Sequence, residues 1–89
     1  MQALSIRVSG KVQGVFFRAS TKEKATELGL SSWCRNEPDG CVLIHAEGNA
    51  DSLESLLAWC HEGPRWANVT KVEKEAVNSE GLNGFGIKR

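Results

Sequence analysis

The sequence has no surplus of charge of either sign: 11 Lys and Arg residues balance 11 Asp and Glu residues. Nucleic-acid binding draws most of its affinity from neutralised phosphates, so this balance argues against a nucleic-acid partner. Any anion site must therefore be local. RNA recognition on an open sheet would also need exposed aromatics on central strands, and the outward strand positions offer Ser5, Arg7 and His45 instead. No apolar run approaches the roughly 18 residues of a membrane span, so no membrane partner is expected. The opening MQALSIRVSG lacks the charged and continuous apolar regions of a secretory leader, and cytoplasmic residence is the expectation. Cysteine is scarce, with Cys34, Cys41 and Cys60 alone. Their odd number and irregular spacing fit reduced, buried thiols, although a Cys34–Cys41 pair across a turn stays open. His45 and His61 share no zinc-ligand spacing with them, so surface histidines and a metal-free site are expected. Repeats, linkers and low-complexity runs are absent, and residues 1–89 are read as one domain.

What is present is periodicity. Leu4, Ile6 and Val8 alternate with Ser5, Arg7 and Ser9, the pattern of a half-buried strand. Phe17, Thr21, Ala25 and Leu28 then fall on one helical face, and Gly29 supplies a stop with Leu30 placed to fold back. SWCRN and CVLIHAE read as two strands joined by a tight turn at Glu37-Pro38-Asp39-Gly40. Asn49 or Asp51 can cap a second helix whose apolar stripe is Leu53, Leu56, Leu57 and Cys60, ended by Gly63-Pro64. NVTKVEKEA is a strand with imperfect alternation, consistent with a bulge between Val69 and Val72. GFGIKR adds a short strand through Phe85 and Ile87.

The order is βαββαβ with a short extra C-terminal strand. One apolar stripe per helix and one apolar face per strand give two layers, with both helices on one face of an antiparallel sheet. The expected class is α+β, a ferredoxin-like two-layer sandwich.

Between the first strand and first helix lies GKVQGVFFR, Gly10 to Arg18. A glycine-containing loop entering a helix presents unpaired amides, and the helix dipole favours a bound anion there. Arg18 stands at that junction and offers a guanidinium fork to the same anion. On spacing alone, an anion site and a plain strand-to-helix turn both remain open. Known phosphate loops do not fit: no glycine precedes Lys-Ser/Thr as Walker A requires, and G-x-G-x-x-G is missing. Cys60 and Arg65 lie one residue too close for a Cys-x5-Arg phosphatase loop, and Cys60 ends a helix, where the dipole disfavours a thiolate.

GKVQGVFFR resembles the acylphosphatase signature G-x-V-Q-G-V-x-F-R, and WCRNEPDGCV is similar to that family's second signature, W-x-R-N followed by a D-G turn. The similarity continues through AEG, the second helix, GP and the final F-x-I, nearly the whole chain. This resemblance implies an acylphosphatase-like domain that hydrolyses the carboxyl–phosphate bond of acyl phosphates without cofactor. It implies that Arg18 binds the phosphate and that Asn36 positions the attacking water. The expected phosphate cradle is Gln13, Gly14, Val15, Phe16, Phe17 and Arg18, with the Gln13 side chain bracing the loop. Small acyl phosphates are the implied substrates, inorganic phosphate or sulfate the competing anions, and a monomer the implied state. Ser32 stands where glycine is usual, Cys34 and Cys41 replace commoner valine and serine, and Glu37 brings a negative charge beside the site. A non-catalytic binding module on the same fold is the competing reading; intact Arg18 and Asn36 favour the enzyme.

Overall fold

A computed structural model describes residues 2–82, together with the backbone of 85–87. The elements are β1 (Gln2–Lys11), α1 (Phe17–Glu27), β2 (Ser31–Asn36), β3 (Val42–Gly48), α2 (Ala50–Cys60), β4 (Asn68–Val77) and β5 (Phe85–Ile87). Alternation along β1 sends Ile6 and Val8 fully into the core. In the pairing register these meet Ile44 and Val42 of β3, β-branched residues that suit a strand paired on both edges.

The sheet order is β4-β1-β3-β2-β5. Each neighbouring pair among the first four strands is antiparallel, as expected for the ferredoxin-like arrangement, whereas β5 runs parallel to β2. The expected final strand is thus present through Phe85 and Ile87, while its flanks Gly84, Lys88 and Arg89 lie outside the described residues. The expected bulge is also present: Ser9 pairs with Lys71 and Gly10 with Val69, which leaves Thr70 as the extra residue.

Both helices pack on the face that carries Ile6, Val8, Ile44 and Cys34. α1 buries Phe17, Thr21 and Ala25 at intervals of four, and the buried Thr21 hydroxyl donates to the Phe17 carbonyl at 2.8 Å. It ends in a Schellman arrangement, with Leu30 N–H bonded to Ala25 C=O (2.9 Å) and Gly29 N–H to Thr26 C=O (3.1 Å). α2 buries Leu53, Leu56 and Cys60. Of the two candidate caps Asn49 serves, its side chain accepting from Ser52 N–H at 2.8 Å. Phe17 meets Trp59 of α2 with ring centroids 5.4 Å apart, and its burial contributes roughly 2–3 kcal/mol at the point where α1 begins.

All three cysteines are free and buried, so no Cys34–Cys41 bridge forms. The expectation of a surface His45 fails. It does lie on the sheet face away from the helices, but it is only 5% exposed and stacks on Trp33 at 5.6 Å. The reason is a polar segment, residues 79–82, tied over that face by the carboxylate of Glu47. Among the described residues no helix is long and apolar enough to cross a membrane.

Candidate functional site

The loop from Val12 to Phe17 alternates between anchoring and exposure. Val12, Val15 and Phe17 are buried, at 1, 5 and 1% exposed, and Gly14 and Phe16 are exposed. Gly14 has φ 73°, which suits a residue without Cβ. Phe16, the residue that caps α1, is also left-handed, at φ 62°. A phenylalanine has no oxygen with which to cap a helix, and no side chain caps this one. The first bond of the helical ladder is Ser20 N–H to Phe16 C=O at 3.0 Å. The amides of Phe17, Arg18 and Ala19 therefore precede the ladder, at the positive end of the helix dipole.

The residues that carry these amides help to line a cavity of about 290 Å³, bounded by Val12, Gly14, Phe16, Phe17, Arg18, Ala19 and Asn36. Asn36 reaches it by strand alternation. It is the last residue of β2, on the same face as Cys34, whose thiol lies 4.0 Å from the Arg18 carbonyl oxygen. Two residues farther along an extended strand is about 7 Å, which carries Asn36 past the first turn of α1 to the loop. Residues 18 positions apart in the chain thus share one pocket.

Gln13 and Val15 do not line the cavity. The Gln13 side-chain amide donates to the carbonyl oxygens of Glu37 and Cys41, both at 2.9 Å, and so ties the loop to the turn after β2. Val15 packs into the core. Glu37, a possible source of repulsion, is also absent from the lining: its carboxylate meets Arg35 at 3.2 Å and Arg7 at 3.5 Å. Arg35 also lies over the Trp33 ring at 5.3 Å. Val12 and Ala19 are lining residues that sequence reasoning did not name.

The thiols beneath the site are held neutral. Burial pushes Cys34 up to about 11 against the opposing pull of the Arg18 charge. Burial, with repulsion from Cys34, pushes Cys60 up to about 12. Neither is a thiolate nucleophile near neutral pH. Among the described residues no group of three or more His, Cys, Asp or Glu side chains is placed to hold a metal ion.

A second cluster of polar residues occupies the other sheet face. One Glu47 carboxylate oxygen accepts from the Ser79 hydroxyl at 2.9 Å and Leu82 N–H at 3.0 Å. The other meets His45 Nε2 at 2.7 Å and accepts from Glu80 N–H. Burial alone would raise this carboxyl group. The bonds from Glu80, His45, Leu82 and Ser79 outweigh burial and hold it down to about 2. Glu80 in turn accepts from the Trp33 indole N–H at 2.9 Å.

The Acylphosphatase family model matches residues 4–87. An acylphosphatase of Marinobacter nauticus is 62% identical over 70 residues, covering 79% of this chain and 76% of its own. One from Methylococcus capsulatus is 51% identical over 91 residues, covering 100% and 98%. The solved structure of an acylphosphatase from Coxiella burnetii superposes with a TM-score of 0.94 at 41% identity, over 98% of this chain and 92% of that one.

Proposed function

Since the chain belongs to the acylphosphatase family and is a hydrolase acting on the anhydride bond of small-molecule acyl phosphates, we propose that Arg18 and the loop amides hold the phosphate while Asn36 positions the attacking water. The observation that supports this reading is the shared cavity, where Arg18 and Asn36 meet at an uncapped helix start.

The chemistry asks little else of the protein. An acyl phosphate is a mixed anhydride whose leaving group is a carboxylate, with a conjugate-acid pKa of about 4 to 5 by analogy with Glu. That group departs at neutral pH without a proton donor. Water attacks phosphorus, a new P–O bond forms, and the bond to the acyl oxygen breaks with its electron pair leaving on the carboxylate. The water's protons pass to solvent and to the phosphate product. What must be supplied is alignment of the water and stabilisation of charge on the phosphoryl oxygens.

Arg18 and the amides of the loop and first helical turn supply the charge stabilisation, aimed before substrate arrives. The Asn36 carboxamide oxygen accepts a hydrogen bond from water and adds no negative charge beside the phosphate, as an aspartate would. No metal ion enters this mechanism, because the guanidinium and dipole serve the phosphoryl charge. Gln13 and Val15 act at one remove, by fixing the loop to the β2–β3 turn and the core. Inorganic phosphate and sulfate compete for the same cradle. The chain acts as a monomer and as one domain over residues 1–89, in the cytoplasm.

The test is hydrolysis of benzoyl phosphate in ¹⁸O-water with EDTA present. The label is expected in phosphate, with an undiminished rate. Label in benzoate would place attack at carbon and overturn the reading, and a chelator-sensitive rate would overturn its metal-free part.

A further inference from the structure

The cradle uses Phe16 only through its backbone, yet its side chain carries a cost of its own. The residue is left-handed at φ 62°, a conformation that Gly and Asn adopt with much less strain. Its ring is also 75% exposed. Strain and solvent-exposed apolar surface both weigh against the fold. Strain at such a position persists where function requires it.

Among the described residues the exposed large hydrophobic side chains are Phe16 and Trp66. Trp66 carries the Arg65 guanidinium over its ring at 5.1 Å, whereas no aromatic or cationic group among the described residues covers Phe16. Phe16 is instead one of the residues that line the cavity.

The size of that cavity says what the ring is for. Even allowing roughly 30 Å³, the share of a whole water molecule, for each heavy atom, a phosphate of five heavy atoms fills at most about half of it. The cavity measures about 290 Å³, so space remains for part of an acyl group. Arg18 and the helix-start amides take the phosphoryl end. The acyl end must then leave toward the apolar lining, and there Val12 is buried while Phe16 is open.

We infer that the Phe16 side chain is the wall against which the acyl group packs, and that it makes this enzyme prefer acyl phosphates with an aromatic or large apolar acyl group over acetyl-sized ones. This inference rests on the cradle reading above. Packing against the acyl group is the same in the ground and transition states, so the preference appears in KM more than in kcat.

The experiment compares kcat/KM for benzoyl phosphate and acetyl phosphate in the wild type, Phe16→Asn, Phe16→Gly and Phe16→Trp, with inhibition by inorganic phosphate measured for each. Loss of one aromatic contact lowers the benzoyl-to-acetyl ratio by about three- to tenfold in the Asn and Gly variants, mainly through KM, and Phe16→Trp keeps it. Thermal midpoints of the Asn and Gly variants equal or exceed the wild type, since the strained phenylalanine is gone. An unchanged ratio, or an equal loss with both substrates, would overturn the inference while leaving the cradle intact. A wild type that neither turns over these substrates nor responds to phosphate would instead overturn the cradle, and this inference with it.

Discussion

Replacing Glu47 with glutamine tests the link between the open sheet face and stability. The carboxylate is 1% exposed and is met by four donors or ring nitrogens, from His45, Ser79, Glu80 and Leu82. Glutamine keeps the shape but turns an NH₂ group toward at least one of those donors. In the wild type those bonds hold the Glu47 carboxyl group down to about 2 against an ordinary 4.5, a difference on the order of 3 kcal/mol of folding free energy at neutral pH. Ordering residues 79–82 opposes this, so Glu47→Gln is expected to cost about 2–3 kcal/mol at pH 7.

The sign follows from the depressed value. The stabilisation is complete above the unfolded value near 4.5 and is lost as pH falls toward 2. Urea unfolding of both proteins at pH 7, 4 and 2.5 therefore shows a wide gap that closes with acid. At pH 7 the thermal midpoint falls by about 10–20 °C, and hydrogen exchange accelerates at the Glu80 and Leu82 amides. Turnover well below the midpoint stays near wild type, because Glu47 and Asn36 lie on opposite sheet faces. A gap that persists unchanged at pH 2.5 would show that the hydrogen-bond pattern, and not the charge, is what was lost. A cost below about 0.5 kcal/mol at pH 7 would refute a stabilising role for the Glu47 bonds to residues 79–82.

Two other substitutions separate chemistry from framework. Asn36→Ala is expected to lower kcat for benzoyl phosphate roughly 10²-fold while inhibition by inorganic phosphate changes less than about threefold, since a positioned water matters only to the reaction; steady-state kinetics with phosphate as inhibitor read both. Gly10→Ala is expected to destabilise by roughly 2–4 kcal/mol. At φ 119°, an added Cβ would fall onto the Asn68 carbonyl oxygen and 2.8 Å from the Thr70 amide nitrogen, both backbone atoms of the bulge. Urea unfolding with an unchanged slope is the measurement.

The parts of this fold that sequence could reveal are those in which apolar spacing does the specifying. The Ile6–Val8 alternation, the Leu53–Leu56–Cys60 stripe and the Glu37–Gly40 turn each announce their element locally. Arg18 and Asn36 were named through the two family signatures, which spacing alone would have left ambiguous. The burial of His45 and Glu47 was illegible for a physical reason. The segment over them, Asn78-Ser79-Glu80-Gly81-Leu82, is almost wholly polar and docks by hydrogen bonds to a carboxylate, leaving no periodic trace. The parallel pairing of β5 was equally hidden, because three residues are too few to signal a direction. Phe16 ran against local preference, as a left-handed phenylalanine is not what backbone propensity selects.

We propose that one guanidinium and a set of pre-aimed amides recognise the phosphoryl group. The decisive variant is Arg18→Ala, with benzoyl phosphate turnover and inhibition by inorganic phosphate measured on the same preparation. Turnover is expected to fall roughly 10³-fold or more, and phosphate inhibition to disappear with it. A folded variant that still binds phosphate as tightly as the wild type would contradict the account.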